Sequence, residues 1–108
     1  MHDGPIHGST RESNLVVLAG RLDVHTAADV RNALAAAVDD GEGELLVDLA
    51  AVEAVDATGL GVLVGAHRRA QRAGRTVVLA DVPPPVGRLL FVTRLDKVLR
   101  TRRTDRCA

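Results

Sequence analysis

Between residues 15 and 99 the chain alternates, three times over, a short aliphatic run with a segment of helical period. No other feature limits the fold so much. The runs are Leu15-Val16-Val17-Leu18-Ala19, Glu44 to Leu49 and Thr76 to Ala80. Their length and β-branched content read as strands buried on both faces. In the first intervening segment Val30, Leu34, Ala37 and Val38 share one helical face, with Arg31, Asn32 and Asp39 off it. Thr26-Ala27-Ala28-Asp29 has the form of a capping box at its start, and the stretch Asp39 to Gly43 ends it. The second helix is expected over 58–73, with Leu60, Leu63, Val64 and His67 as its inner stripe. Gly74 is placed to cap its C-terminus, and Arg68, Arg69 and Arg72 complement the dipole. Pro83-Pro84-Pro85 presets a third helix with Val86, Leu89, Leu90 and Thr93 inward.

This order predicts an α/β domain with a central, mixed but mostly parallel sheet of four or five strands and at least three helices. Val47, Leu63, Val64, Val78 and Leu90 are expected in its core. A brief turn is expected within Ala50 to Asp56, and a final short strand at Val98-Leu99. Residues 1–13 read as a flexible segment, with Ile6 able to start an edge strand. Residues 14–100 form the single domain, and 101–108 a solvated basic tail.

Composition removes several classes of function. Phe91 is the one aromatic residue, so stacking on single-stranded nucleic acid is not available. The formal net charge is zero, which supplies no field toward phosphate backbones or acidic membranes. A single cysteine, Cys107, excludes an internal disulfide and a multi-thiolate zinc site. No apolar stretch approaches the roughly 20 residues that span a bilayer, and Met1 to Ser13 lacks an apolar signal core. The expected compartment is the cytoplasm.

Catalytic equipment is sparse. His2, His7, His25 and His67 form no pair with ligand spacing, so no metal is expected. His25, two residues after Asp23, reads as structural, and His67 as a packing residue. There is no Gly-x-Ser-x-Gly elbow, and Gly59-Leu60-Gly61 lacks the remaining glycines of a phosphate loop. Asp39-Asp40 reads as a solvated loop. No enzyme activity and no cofactor are expected. One segment stands out: Val55-Asp56-Ala57-Thr58-Gly59-Leu60-Gly61, at the start of the second helix. Local chemistry alone favours a loop capped by Asp56 or Thr58. The functional reading is a phosphate-accepting hydroxyl, because free N–H groups and the helix dipole stabilise added negative charge there.

Three motifs in order carry a family resemblance. Leu18-Ala19-Gly20-Arg21-Leu22-Asp23-Val24-His25-Thr26-Ala27 resembles the opening of the STAS domain, and within that family the anti-sigma factor antagonists. Leu46-Val47-Asp48-Leu49 with Val55 to Gly61 is similar to its D-S-[ST]-G-L-G signature, and Pro84 to Leu90 through Leu95 to its last helix. The resemblance implies a protein that binds an anti-sigma factor, a serine/threonine kinase of the histidine-kinase-like ATPase fold, and so frees a sigma factor. It implies phosphorylation at Thr58, reversed by a phosphatase, and a partner surface of Asp23, Asp56, Ala57, Thr58, Gly59 and Leu60. Gly59 and Gly61 would let the partner approach closely. Ala57 stands where the family motif has Ser, and the acceptor is Thr rather than Ser. A second role on the same fold is a scaffold subunit, not phosphorylated, of a stress-signalling or lipid-transport complex.

Overall fold

Strand β2 (Leu15–Leu22) buries Val16, Leu18 and Leu22 but leaves Leu15, Val17 and Ala19 half-buried. The expectation of a strand buried on both faces therefore fails here and holds in β4 (Thr76–Ala80), where Val77 to Ala80 are all buried. The structure, a computed structural model, describes residues 11, 12 and 14–104. Ile6, and most of the segment read as flexible, lie outside the described residues. The remaining elements are β1 (Arg11–Glu12), α1 (Ala27–Asp39), β3 (Glu44–Val55), α2 (Ala57–Arg72), α3 (Pro84–Val92), a 3-10 turn (Leu95–Lys97) and β5 (Arg100–Arg102). The sheet runs β1-β2-β3-β4-β5, with β1 antiparallel to β2 and the other pairs parallel. With strand order following chain order, crossovers of one hand place their helices on one face. Buried residues of all three helices accordingly join one cluster with Val16, Leu18, Leu45, Val47, Leu49, Val77 and Leu79.

Several local expectations are corrected. Thr26 precedes α1, but its hydroxyl makes no bond to the helix and no capping box forms. The hydroxyl instead donates to the Arg21 carbonyl (2.9 Å) and accepts from the Asp23 amide (3.0 Å), so it closes the end of β2. The turn expected within Ala50 to Asp56 is absent, because β3 continues to Val55. On α2 the inward residues are Gly59, Leu60, Val62, Leu63, Ala66 and Ala70, which leaves Val64 only half-buried. On α3, Val86 and Leu90 are buried, whereas Thr93 is exposed and donates to the Leu89 carbonyl (2.8 Å).

The last strand is Arg100–Arg102, not Val98-Leu99, and pairs with Val78 to Ala80. Residues 101–104 are thus not a free tail. Asp81 donates its amide to the Arg102 carbonyl (2.8 Å), and its carboxylate accepts from the Thr104 amide (2.8 Å) and hydroxyl. Arg102 also reaches past β4 to a two-pronged pair with Glu44 at 2.7 Å. In the same way β1 removes Arg11 and Glu12 from the segment read as flexible.

The C-terminus of α2 matches its glycine signal. Gly74 has φ of 75°, with Arg75 N–H on the Ala70 carbonyl and Gly74 N–H on the Gln71 carbonyl, the Schellman pair. Arg75, next in the chain, is 5% exposed. Its guanidinium donates to the carbonyls of Ala37, Val38 and Gly43 at 2.9 Å and to Asn14 Oδ1 at 2.8 Å. A buried cation so placed satisfies the orphan carbonyls at the negative end of α1.

Candidate functional site

Strands β2 and β3 start in register at Leu15 and Leu46 and finish in register at Leu22 and Val55. Between those points β3 inserts two extra residues, one opposite Val17 to Ala19 and one opposite Gly20 to Arg21. Gly20 takes φ of 80° at the second irregularity, and the Asp48 carboxylate accepts from the Ala50 amide (2.9 Å) at the first. The bulges bring the two strand ends level. Asp56 then donates its amide to the Leu22 carbonyl (3.1 Å), which sets Asp23 and Asp56 side by side at the carboxyl end of the sheet. Open α/β sheets bind their ligands at that end.

Asp56 is extended (φ −105°, ψ −171°) and caps α2: its Oδ1 accepts from the Gly59 amide at 2.9 Å. Its carbonyl accepts the first helical bond, from Leu60 (2.9 Å). Of the two capping candidates the structure selects Asp56, and Thr58 is left exposed in the first turn with no hydrogen bond from its hydroxyl to a described residue. Asp23 Oδ1 accepts from the His25 amide (2.9 Å), so His25 contributes backbone rather than a ligand nitrogen. Arg21 sits 3.9 Å from Asp23 in a loose contact worth little, its own side chain being mostly in solvent. The mouth of α2 therefore presents a hydroxyl beside two carboxylates. Val24, 66% exposed, adds an apolar side chain to the same loop.

Gly59 and Leu60 do not belong to the outer surface. Leu60 lies in the hydrophobic core, and a Cβ on Gly59 would fall 2.3 Å from the Leu22 carbonyl oxygen. The close approach expected of a partner at Gly59 is in fact made by β2 within the domain. Gly61 is open, with nothing within 4 Å of a Cβ built on it. Asp23, Asp56, Ala57 and Thr58 form the accessible part of the expected surface, and Gly59 and Leu60 hold it in place. Val24 carries no signal in the sequence, because an isolated valine in a loop belongs to no periodic pattern. Among the described residues no three His, Cys, Asp or Glu side chains cluster as metal ligands, and no helix is long and apolar enough to cross a membrane.

Fold and site together define a small, mostly parallel α/β domain whose strand-end loops and α2 N-terminus are exposed at the carboxyl end of the sheet. Residues 7–101 match the family model described as Mlab, STAS domain. The chain is 34% identical over 86 residues to an anti-sigma F factor antagonist of Paenibacillus polymyxa, covering 79% of this chain and 74% of that protein. It is 30% identical over 84 residues to an anti-sigma-B factor antagonist of Staphylococcus aureus, covering 78% of each. A crystal structure of an anti-sigma factor antagonist from Mycobacterium paratuberculosis superposes with a TM-score of 0.69 at 28% identity, over 87% of this chain and 81% of that one. The chain belongs to the STAS domain family.

Proposed function

We propose that the protein is an anti-sigma factor antagonist whose activity is switched at Thr58. In this reading the unphosphorylated domain binds an anti-sigma factor of the serine/threonine kinase type through Asp23, Val24, Asp56 and Thr58, and so frees a sigma factor. The kinase phosphorylates Thr58 and a phosphatase restores it, in the cytoplasm. The observation that carries the reading is the exposed Thr58 hydroxyl, without a hydrogen bond to a described residue, at the mouth of α2 beside Asp23 and Asp56. A phosphate there adds about −1.5 to −2 charges to a surface that already holds two carboxylates. The positive end of α2 offsets part of that charge within the free domain. Across a desolvated interface no such offset suffices, and a partner matched to a neutral hydroxyl between carboxylates is expelled.

The experiment compares the unmodified domain, stoichiometrically phosphorylated domain and Thr58→Glu for binding to the host's anti-sigma kinase. Affinity is expected to fall more than about a hundredfold on phosphorylation, equivalent to about 3 kcal/mol, with the far-UV spectrum unchanged. Thr58→Ala retains the partner and escapes modification. Equal affinity of the phosphorylated and unmodified forms would sink the switch and leave a scaffold role on the same surface.

A further inference from the structure

Away from the Thr58 surface, a groove of about 630 Å³ runs between the C-terminal half of α2 and the edge strand β5. Its α2 wall, His67 and Gln71, begins nine residues beyond Thr58, about 13 Å along a helix that rises 1.5 Å per residue. Lys97, Val98, Arg100 and Thr101 form the opposite wall.

Three observations point to a ligand. First, β5 is a sheet edge: β4 pairs with one side of it, and no described strand pairs with the other. The Arg102 carbonyl accepts from Asp81 on the β4 side. Successive strand residues direct their backbone groups to opposite sides, so Thr101 presents its N–H and C=O to the open edge. Second, the groove is cationic. Arg102 is held by Glu44, which also attracts Arg100, but the side chains of Lys97 and Arg100 make no hydrogen bond or salt bridge to a described residue. Asp96 alone among the described lining residues is acidic. Third, apolar surface is left uncovered along it: Val98, one of its lining residues, is 47% exposed.

We propose that this groove is a second docking surface, and that it takes an extended acidic segment of a partner protein, added as a strand to β5. Main-chain pairing at Thr101 would supply the affinity, and Lys97 and Arg100 the selectivity for acidic side chains. A second copy of this chain is disfavoured as occupant, because pairing β5 with β5 would oppose Arg100 and Arg102 to their own copies. Nucleic acid is disfavoured by the zero formal net charge of the chain and by the absence of Phe, Tyr or Trp among the lining residues of the groove.

The test uses the intact protein and a labelled short peptide alternating glutamate and valine, with its lysine–valine counterpart and a DNA duplex as controls. Fluorescence polarisation is expected to show binding of the acidic peptide alone, weakened about tenfold in the double variant Lys97→Glu/Arg100→Glu. The amide resonance of Thr101 should shift on titration and gain protection from hydrogen exchange, and that of Thr58 should not. No movement of the Thr101 amide at millimolar peptide, equal binding of the lysine–valine peptide, or preferential binding of DNA would each overturn the proposal.

Discussion

Replacing Gly59 by Ala tests how the site is held together. Its Cβ would lie 2.3 Å from the Leu22 carbonyl oxygen, 2.8 Å from Leu22 Cβ and 2.9 Å from the Leu22 carbonyl carbon. Real contacts of a Cβ essentially never fall below 3.0 Å, so α2 and β2 must separate by at least 0.7 Å. Neither side yields easily. Leu22 is 1% exposed and its carbonyl already accepts from Asp56 (3.1 Å), while Gly59 donates to the Asp56 cap (2.9 Å). Overpacking of this kind costs about 1–3 kcal/mol, and a strained cap adds to it. Against that, Ala gains about 1 kcal/mol over Gly in helix propensity. The expected net loss is about 2 kcal/mol, a fall in Tm of about 8–12 °C for a domain of this size. Gly61→Ala is the matched control. It gains the same propensity, and nothing lies within 4 Å of its new Cβ, so its stability should hold or rise by up to about 1 kcal/mol. Urea denaturation followed by far-UV circular dichroism measures both. If Gly59→Ala proves as stable as Gly61→Ala, the backbone of β2 does not set the position of α2 and Thr58.

Arg75→Met should destabilise the domain by about 3 kcal/mol or more, because the carbonyls of Ala37, Val38 and Gly43 lose a charged donor in a buried place. Arg75→Lys should recover little of that loss in the same urea titration, since an ammonium lacks the planar fork. Truncation after Arg100 should lower the urea midpoint, as it removes the Arg102 pair to Glu44 and the three hydrogen bonds to Asp81. Hydrogen bonds from Arg102 and Arg69 hold the carboxyls of Glu44 and Asp39 below their ordinary values of 4.5 and 3.8. Depressed folded values mean that these exposed pairs contribute above the unfolded values and lose that contribution as pH falls through the folded ones. Thermal scans from about pH 6 down to about pH 3 should therefore show a falling Tm, with the part due to Glu44 absent in Glu44→Gln and reduced at high salt.

Features written into a few neighbouring residues are legible in the sequence. The inner face of α1, the Gly74 cap and the proline start of α3 each depend on local geometry, and each is found where the sequence places it. Asp56 as a cap is one of two local options, and the structure selects it. The departures share another character. Thr26 has the composition of a capping box, but its hydroxyl is captured by the backbone of Arg21 and Asp23 across a loop. Val64 loses its place in the core to Val62 because the orientation of α2 is set by the sheet beneath it.

By itself, then, the sequence determined the order and kind of elements and the chemistry at the mouth of α2, since periodicity, caps and glycine turns act over one or two helical turns. The tertiary structure alone decided what depends on pairs distant along the chain. Two bulges in β3 place Asp23 beside Asp56, although nothing in the run from Glu44 to Val55 announces them. The backbone of Leu22 converts Gly59 from an expected partner contact into an internal one. No local pattern singles out Arg75, whose guanidinium is placed by the end of α1 closing over it. Register, close approach and burial are set by the packing of distant segments on one another, and their free energy exists only once the chain has brought those segments together.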